Sequence, residues 1–150
     1  MRRRNPLSRD ITWRKRSVRF TGPMPDVVEA VLERASLQGF LGCEVCGDSI
    51  TGERGWDWSL HHRRGRDGKP DSHMPQNLLL VHGASNVDAC HGRIHRNREG
   101  ESRLRGWLIG RNSIPSDPLL VPALLCAESA WCYLDDLGGY ADNPPVVTAV

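Results

Sequence analysis

The sequence predicts an α+β fold: a short strand–loop–strand–helix core, a cysteine knuckle ahead of it, a flanking helix and a short C-terminal hairpin. Three observations carry this. Val27, Val28, Val31, Leu32 and Ala35 recur at helical spacing. An alternating run, Trp56 to His61, and an apolar run, Asn77 to Val81, are separated by a polar stretch and read as two strands. Cys43-Glu44-Val45-Cys46-Gly47 is a tight thiol pair whose glycine permits the turn, and a third thiol, Cys90, lies where a second helix should begin.

In chain order, residues 1–25 form a basic arm containing Pro6, Pro23 and Pro25. Asp26 suits the N-cap of the first helix and Gly39 its end. The knuckle follows. The loop from Arg63 to Gln76 is rich in Gly, Pro, Asp and Arg, and the second strand ends at His82-Gly83. Ser85 to Asp88 supplies capping residues for a second helix, Ala89 to Arg98, stopped by Gly100. Leu119–Leu125 and Ala130–Leu134 pair as a hairpin, with Gly138-Gly139 closing a domain that spans 26–140. Residues 141–150, with Pro144-Pro145, form a loose tail.

At 150 residues, 39% hydrophobic and 25% charged, the chain reads as one soluble domain. Its folded part is small enough for a bound metal to support it. The longest apolar run, Leu119 to Ala127, is too short for a membrane span and contains Pro122. No apolar stretch follows Met1-Arg2-Arg3-Arg4, so a secretory leader is not expected. Five cysteines, an odd number, argue for a reducing, cytoplasmic compartment and against a disulfide framework. Cys126 and Cys132 sit among apolar residues and read as buried thiols. The net charge of +2 conceals an asymmetry: eight basic residues against one acid in residues 1–25, and only acids from residue 112 onward. An isolated basic run is usually a solvated terminus. Beside the histidine-rich segment described next, Arg14, Lys15 and Arg16 read as phosphate contacts.

The chemistry concentrates in residues 43–98. Cys43-x-x-Cys46 is followed by His61-His62, Asn77 and Cys90-His91-x-x-x-His95. Thiols suit structural zinc. Histidines suit the activation of water at neutral pH and the binding of a divalent ion. Adjacent residues of a strand point to opposite faces, so His61 and His62 would serve different partners. His91 and His95 share a helix face and could hold one cation or clamp a phosphate. Arg63 and Arg64, with Arg66 and Lys69, could meet backbone phosphates, as could any exposed loop arginine. His73 reads as a surface residue.

This order and spacing resemble the HNH endonuclease family, in the version braced by a treble-clef-like zinc knuckle. The likeness covers about the middle third of the chain. It implies a ββα-metal core and metal-dependent hydrolysis of DNA phosphodiester bonds, with double-stranded DNA as substrate. By resemblance, His61 and His91 hold a divalent ion (Mg²⁺, Mn²⁺, Ni²⁺ or Zn²⁺), and His62 is the general base. Asn77 ties the loop and positions that base, and His95 is a further ligand or phosphate contact. Relatives carry a second cysteine pair after the apolar strand. Here its first cysteine is missing and His82 stands in its place, so structural zinc would rest on Cys43, Cys46, His82 and Cys90. The alternative is a chain that has lost zinc and keeps three thiols. The compact size, the Cys43-x-x-Cys46 start and the segment Trp131 to Gly139 look like the stand-alone HNH proteins of tailed bacteriophages, some of which act beside terminase subunits. That likeness implies the host cytoplasm. The rival from another class is a non-catalytic zinc-finger-like DNA-binding or packaging module, which has no need of His62, Asn77 and His91 together. A homing or restriction nuclease would bring a larger specificity domain.

Overall fold

A computed structural model describes residues 22–66, 70–126 and 129–144. The expected arm contacts Arg14, Lys15 and Arg16, and most of the loose tail, lie outside these residues. Among the described residues the fold is a small mixed α/β arrangement with three short antiparallel sheets and three short α-helices.

Helix α1, Pro25–Arg34, starts two residues earlier than expected. Met24 is its N-cap and Pro25 takes the first position, where a missing N–H costs nothing, so Asp26 lies in the first turn instead of capping it. Gly39 does not end this helix. The chain leaves it at Ala35 and forms a hairpin of β1, Ser36–Leu37, and β2, Phe40–Gly42. The two-residue turn needs positive φ at both positions, 46° at Gln38 and 93° at Gly39, which is why glycine stands there. Strand β3, Ser49–Ile50, pairs with β2, so Cys43 to Asp48 form the tip of a second hairpin. The bonds Cys43 N–H to Asp48 O and Gly47 N–H to Cys43 O close that tip.

The site is carried by β4, Trp58–His62, and β5, Leu78–His82, an antiparallel pair in which His61 faces Leu79 and His62 faces Leu78. Strand β4 begins two residues later than the alternation suggested, because Trp56 is in a turn and exposed. Asn77 precedes β5 and closes a 3-10 turn, Pro75–Asn77; a second such turn, Pro70–His73, interrupts the loop expected there. Helix α2, Ala89–Arg96, packs on β5 and is shorter than expected. A further helix, α3, Glu101–Leu104, follows it and was not foreseen. The C-terminal hairpin joins β6, Ala123–Leu125, to β7, Ala130–Leu134; β8, Tyr140–Ala141, then adds to β7 after the Gly138-Gly139 turn. Leu119 and Leu120 belong to a 3-10 turn and not to the strand.

The core is continuous across these pieces: Val31, Val45, Leu78 to Val81, Ile94, Trp107, Leu125 and Leu134 are all buried. A buried ion pair fastens the knuckle to it. The Arg34 guanidinium donates to both Glu44 carboxylate oxygens, at 2.8 and 2.9 Å, and to the carbonyls of Pro75 and Leu78. Glu44 in turn accepts from Leu80 N–H and from the Tyr140 hydroxyl. Every charge is partnered, the condition under which such burial is tolerated. No helix of the described residues is long and apolar enough to cross a membrane.

Candidate functional site

The fold gathers two groups of ligand-type side chains. Cys43 and Cys46 come from the β2–β3 tip, His82 from the end of β5 and Cys90 from the start of α2. Their four donor atoms all lie within 4.8 Å of one another. A tetrahedron with Zn–S bonds of about 2.3 Å has edges of about 3.8 Å, so this set is close to closing on one ion. Cys46 Sγ and His82 Nδ1 are already 3.4 Å apart. The Nε2–H of His82 donates to Ser49 O at 3.1 Å, since a carbonyl can only accept. The lone pair of His82 is therefore on Nδ1, toward the thiols, and the ring is oriented as metal-bound histidines usually are. The Cys43 thiol is pushed down to about 5, chiefly by the hydrogen bond from Cys90, with backbone N–H groups adding to the effect. The same bond raises the Cys90 thiol, and burial lifts Cys46 to about 11. Three thiols and an imidazole so arranged fit zinc.

The second group is His61, His91 and His95, whose ligand atoms also lie within 4.8 Å of one another. Their ring centroids are 5.1 to 5.2 Å apart. His91 and His95 sit one turn apart on α2, and His61 reaches them from β4. Two of the three tautomers are set from behind. His61 Nε2–H donates to Trp107 O at 2.9 Å, leaving Nδ1 unprotonated. Ser59 Oγ gives its proton to Gly83 O and so accepts from His91 Nδ1–H at 2.8 Å, leaving Nε2 of His91 unprotonated. Burial holds His61 well below the usual histidine range and His91 down at about 4, with each ring's histidine neighbours opposing further charge. His95 is lowered by burial and then by Arg98. Neutral imidazoles each keep one unprotonated nitrogen, and a cation requires such a lone pair.

These rings line a cleft of about 610 Å³, with His62 beside them and Arg66, Arg98, Arg103 and Arg111 among its walls. His62 does not join the cluster. Its Nε2 lies 3.0 Å from Nδ1 of His73, so the adjacent histidines of the doublet serve different partners. Burial lowers His62 to about 4, with Arg66 and His73 contributing. Asn77 is fully buried and holds the end of β4 to the loop: its Oδ1 accepts from Arg64 N–H at 2.7 Å, and its Nδ2 donates to the carbonyls of Arg64 and Ser72.

Two expected phosphate contacts are corrected. Arg63 is wholly buried, and its guanidinium donates to the carbonyls of Gly106, Gln76, Pro118, Val121 and Pro122. It shares a strand face with His61 and turns inward with it. Arg64 is 5% exposed and is paired with Asp71 and with Ser116 O. Neither offers a free charge to a ligand. Arg66, which the sequence had offered as a phosphate contact, and Arg64 do line the cleft, and Arg98, Arg103 and Arg111 join them from the chain around α3, where the sequence showed only scattered basic residues. His73 and Ser59 were also missed: nothing local marks a loop histidine or a strand serine as a partner of a distant ring.

Comparison with protein-family models, with curated proteins and with solved structures finds no match to this chain.

Proposed function

We propose that the chain is a metal-dependent endonuclease of the HNH type, hydrolysing phosphodiester bonds in double-stranded DNA, with a zinc-braced knuckle. One observation carries the reading: His61, His91 and His95 bring ligand atoms within 4.8 Å of one another in an arginine-lined cleft, with a fourth histidine, His62, beside them and outside their ligand set. A binding module gains nothing from that arrangement.

In this reading Cys43, Cys46, His82 and Cys90 hold zinc as a brace, and His61, His91 and His95 hold a catalytic cation. A divalent ion there would supply a Lewis acid to the phosphate and the departing 3′ oxygen. His62 takes a proton from the attacking water. Buried and neutral at pH 7, it is free to accept one, and an incoming phosphodiester offsets Arg66 and so raises its proton affinity. Asn77 keeps the end of β4 in place beneath it. The arginines of the cleft draw the polyanion in, and the basic arm adds contacts that position without specifying. The products carry 5′-phosphate and 3′-hydroxyl ends. Action beside a phage terminase rests only on the likeness of the compact size, the Cys43-x-x-Cys46 start and residues 131–139 to stand-alone phage HNH proteins.

The test is plasmid nicking by the zinc-loaded chain, with EDTA and then with single divalent ions. Cleavage should need an added ion, and His62→Ala should keep zinc, fold and DNA affinity while cleavage falls by about 10²–10⁴-fold. A parent protein that cuts nothing with Mg²⁺, Mn²⁺, Ni²⁺ or Zn²⁺ would hand the site to the DNA-binding module reading.

A further inference from the structure

His73 lies eleven residues beyond His62 in a different turn, yet the two rings meet edge to face, with centroids 5.1 Å apart and planes at 77°. The meeting is built by buried groups. Ser72, the residue before His73, gives its carbonyl to Asn77 Nδ2 at 2.9 Å. The same Asn77 grips Arg64, two residues after His62, and Arg64 pairs with Asp71 at 2.7 Å. Ser72, Asn77 and Arg64 are nearly or fully buried. The turn and the strand end therefore form one unit, and the 3.0 Å separation of His62 Nε2 and His73 Nδ1 follows from it.

A single proton occupies that contact, because each neutral imidazole has one donor and one acceptor nitrogen. If His73 donated, His62 would carry its own proton on Nδ1 and have no lone pair left for water. We propose that His73 is a positioning residue: it accepts the Nε2–H of His62 and thereby keeps Nδ1 of His62 as the nitrogen that takes the proton from water. This rests on the nuclease reading above. In the step, the water O–H bond breaks as N–H forms at His62 Nδ1. The water oxygen bonds to phosphorus, and the 3′ oxygen leaves with its electron pair and takes a proton from solvent water to become the 3′-hydroxyl. The Nε2–H stays on His62, now an imidazolium, and its bond to His73 becomes charge-assisted, about twice as strong as before. His73 thus stabilises the charged form more than the resting one, which is the condition for accelerating the step.

The experiment compares the full zinc-loaded chain with His73→Leu and His73→Asn, whose amide oxygen can take the place of the Nδ1 acceptor. His73→Leu should lower kcat for plasmid cleavage by about 10- to 100-fold, with KM and zinc content unchanged. His73→Asn should recover most of the rate. Imidazole ¹⁵N shifts of the parent should show His62 protonated at Nε2, a reading that stands even if a variant folds poorly. His62 protonated at Nδ1, His73→Leu cutting at the parental rate, or His73→Asn no better than His73→Leu would each overturn the inference and leave the nuclease reading standing. A parent that cuts nothing overturns both.

Discussion

Arg63 makes every hydrogen bond of its guanidinium to a backbone carbonyl, and those carbonyls come from four stretches of chain, near residues 76, 106, 118 and 121. Burial depresses it to about 9, with Arg34 adding to the effect and Glu44 opposing it. Such a side chain organises structure. Arg63→Met should cost roughly 3–5 kcal/mol of stability in urea unfolding, because it strands several buried acceptors at once. Arg63→Lys should rescue little, since an ammonium lacks the planar fork. A stable Arg63→Met protein with weakened DNA binding would instead return this residue to the surface role expected from the sequence. Asn77 works at the same scale with three bonds. Asn77→Ala should slow cleavage at least tenfold while zinc stays bound, because the amide holds the loop and touches neither ligand group. Metal analysis alongside the nicking assay checks this.

At the scale of elements, the connection from β5 to α2 decides whether both ligand groups form. It carries His82 before the turn and Cys90 and His91 after it. Gly83 begins it with φ of 98°, and a Cβ there would sit 2.4 Å from Asp88 O. Both the left-handed conformation and the backbone contact exclude a side chain. Gly83→Ala should therefore destabilise by more than about 1 kcal/mol. It should also move the start of α2, so zinc retention against a chelator and divalent-ion affinity should fall together. Loss of stability with both metal affinities intact would show that the helix tolerates the shift. The 106–109 segment matters similarly. Ile109 N–H donates to Arg63 O, and Trp107 O accepts from His61, so the chain after α3 is docked along the end of β4.

For the whole molecule, the knuckle, β5 and α2 are joined through the proposed zinc ligands, so metal binding and folding should be one event. Cys43→Ser should lose zinc and much of its cooperative unfolding; elemental analysis finding no zinc in well-folded parent protein would contradict this. Stability should also depend on pH with a definite sign. His61, His62 and His91 have folded values below the ordinary 6.5, all primarily through burial. Between that value and about 4 the unfolded chain binds more protons than the native one. Stability is thus fully present above pH 6.5 and is lost as pH falls. The Tm of the zinc-loaded chain should drop between pH 7 and pH 5, with zinc content followed in parallel, because acid also protonates the thiols. A flat profile would mean these rings are as well solvated in the folded chain as in the unfolded one.

The sequence by itself determined the local chemistry: a thiol pair across a glycine turn, two strands around a polar loop, and two histidines one helical turn apart. Spacing along the chain controls each of these; the grouping of Cys43, Cys46, His82 and Cys90, which the structure brings together, came from the likeness to the HNH family, as did the expectation that His61 and His91 share one cation. Boundaries were less legible where one residue's preference was overruled, as at Asp26, displaced by Pro25, and at Gly39, taken by a hairpin turn. Only the tertiary structure decided the inward turn of Arg63 and Arg64, the carbonyl of Trp107 behind His61, and the pairing of His62 with His73. Those contacts join residues 7 to 59 positions apart, and a side chain shows no local sign of the carbonyl, carboxylate or ring that will meet it. Partners within a turn can be read from spacing; partners brought together by packing depend on how the whole chain buries its polar groups.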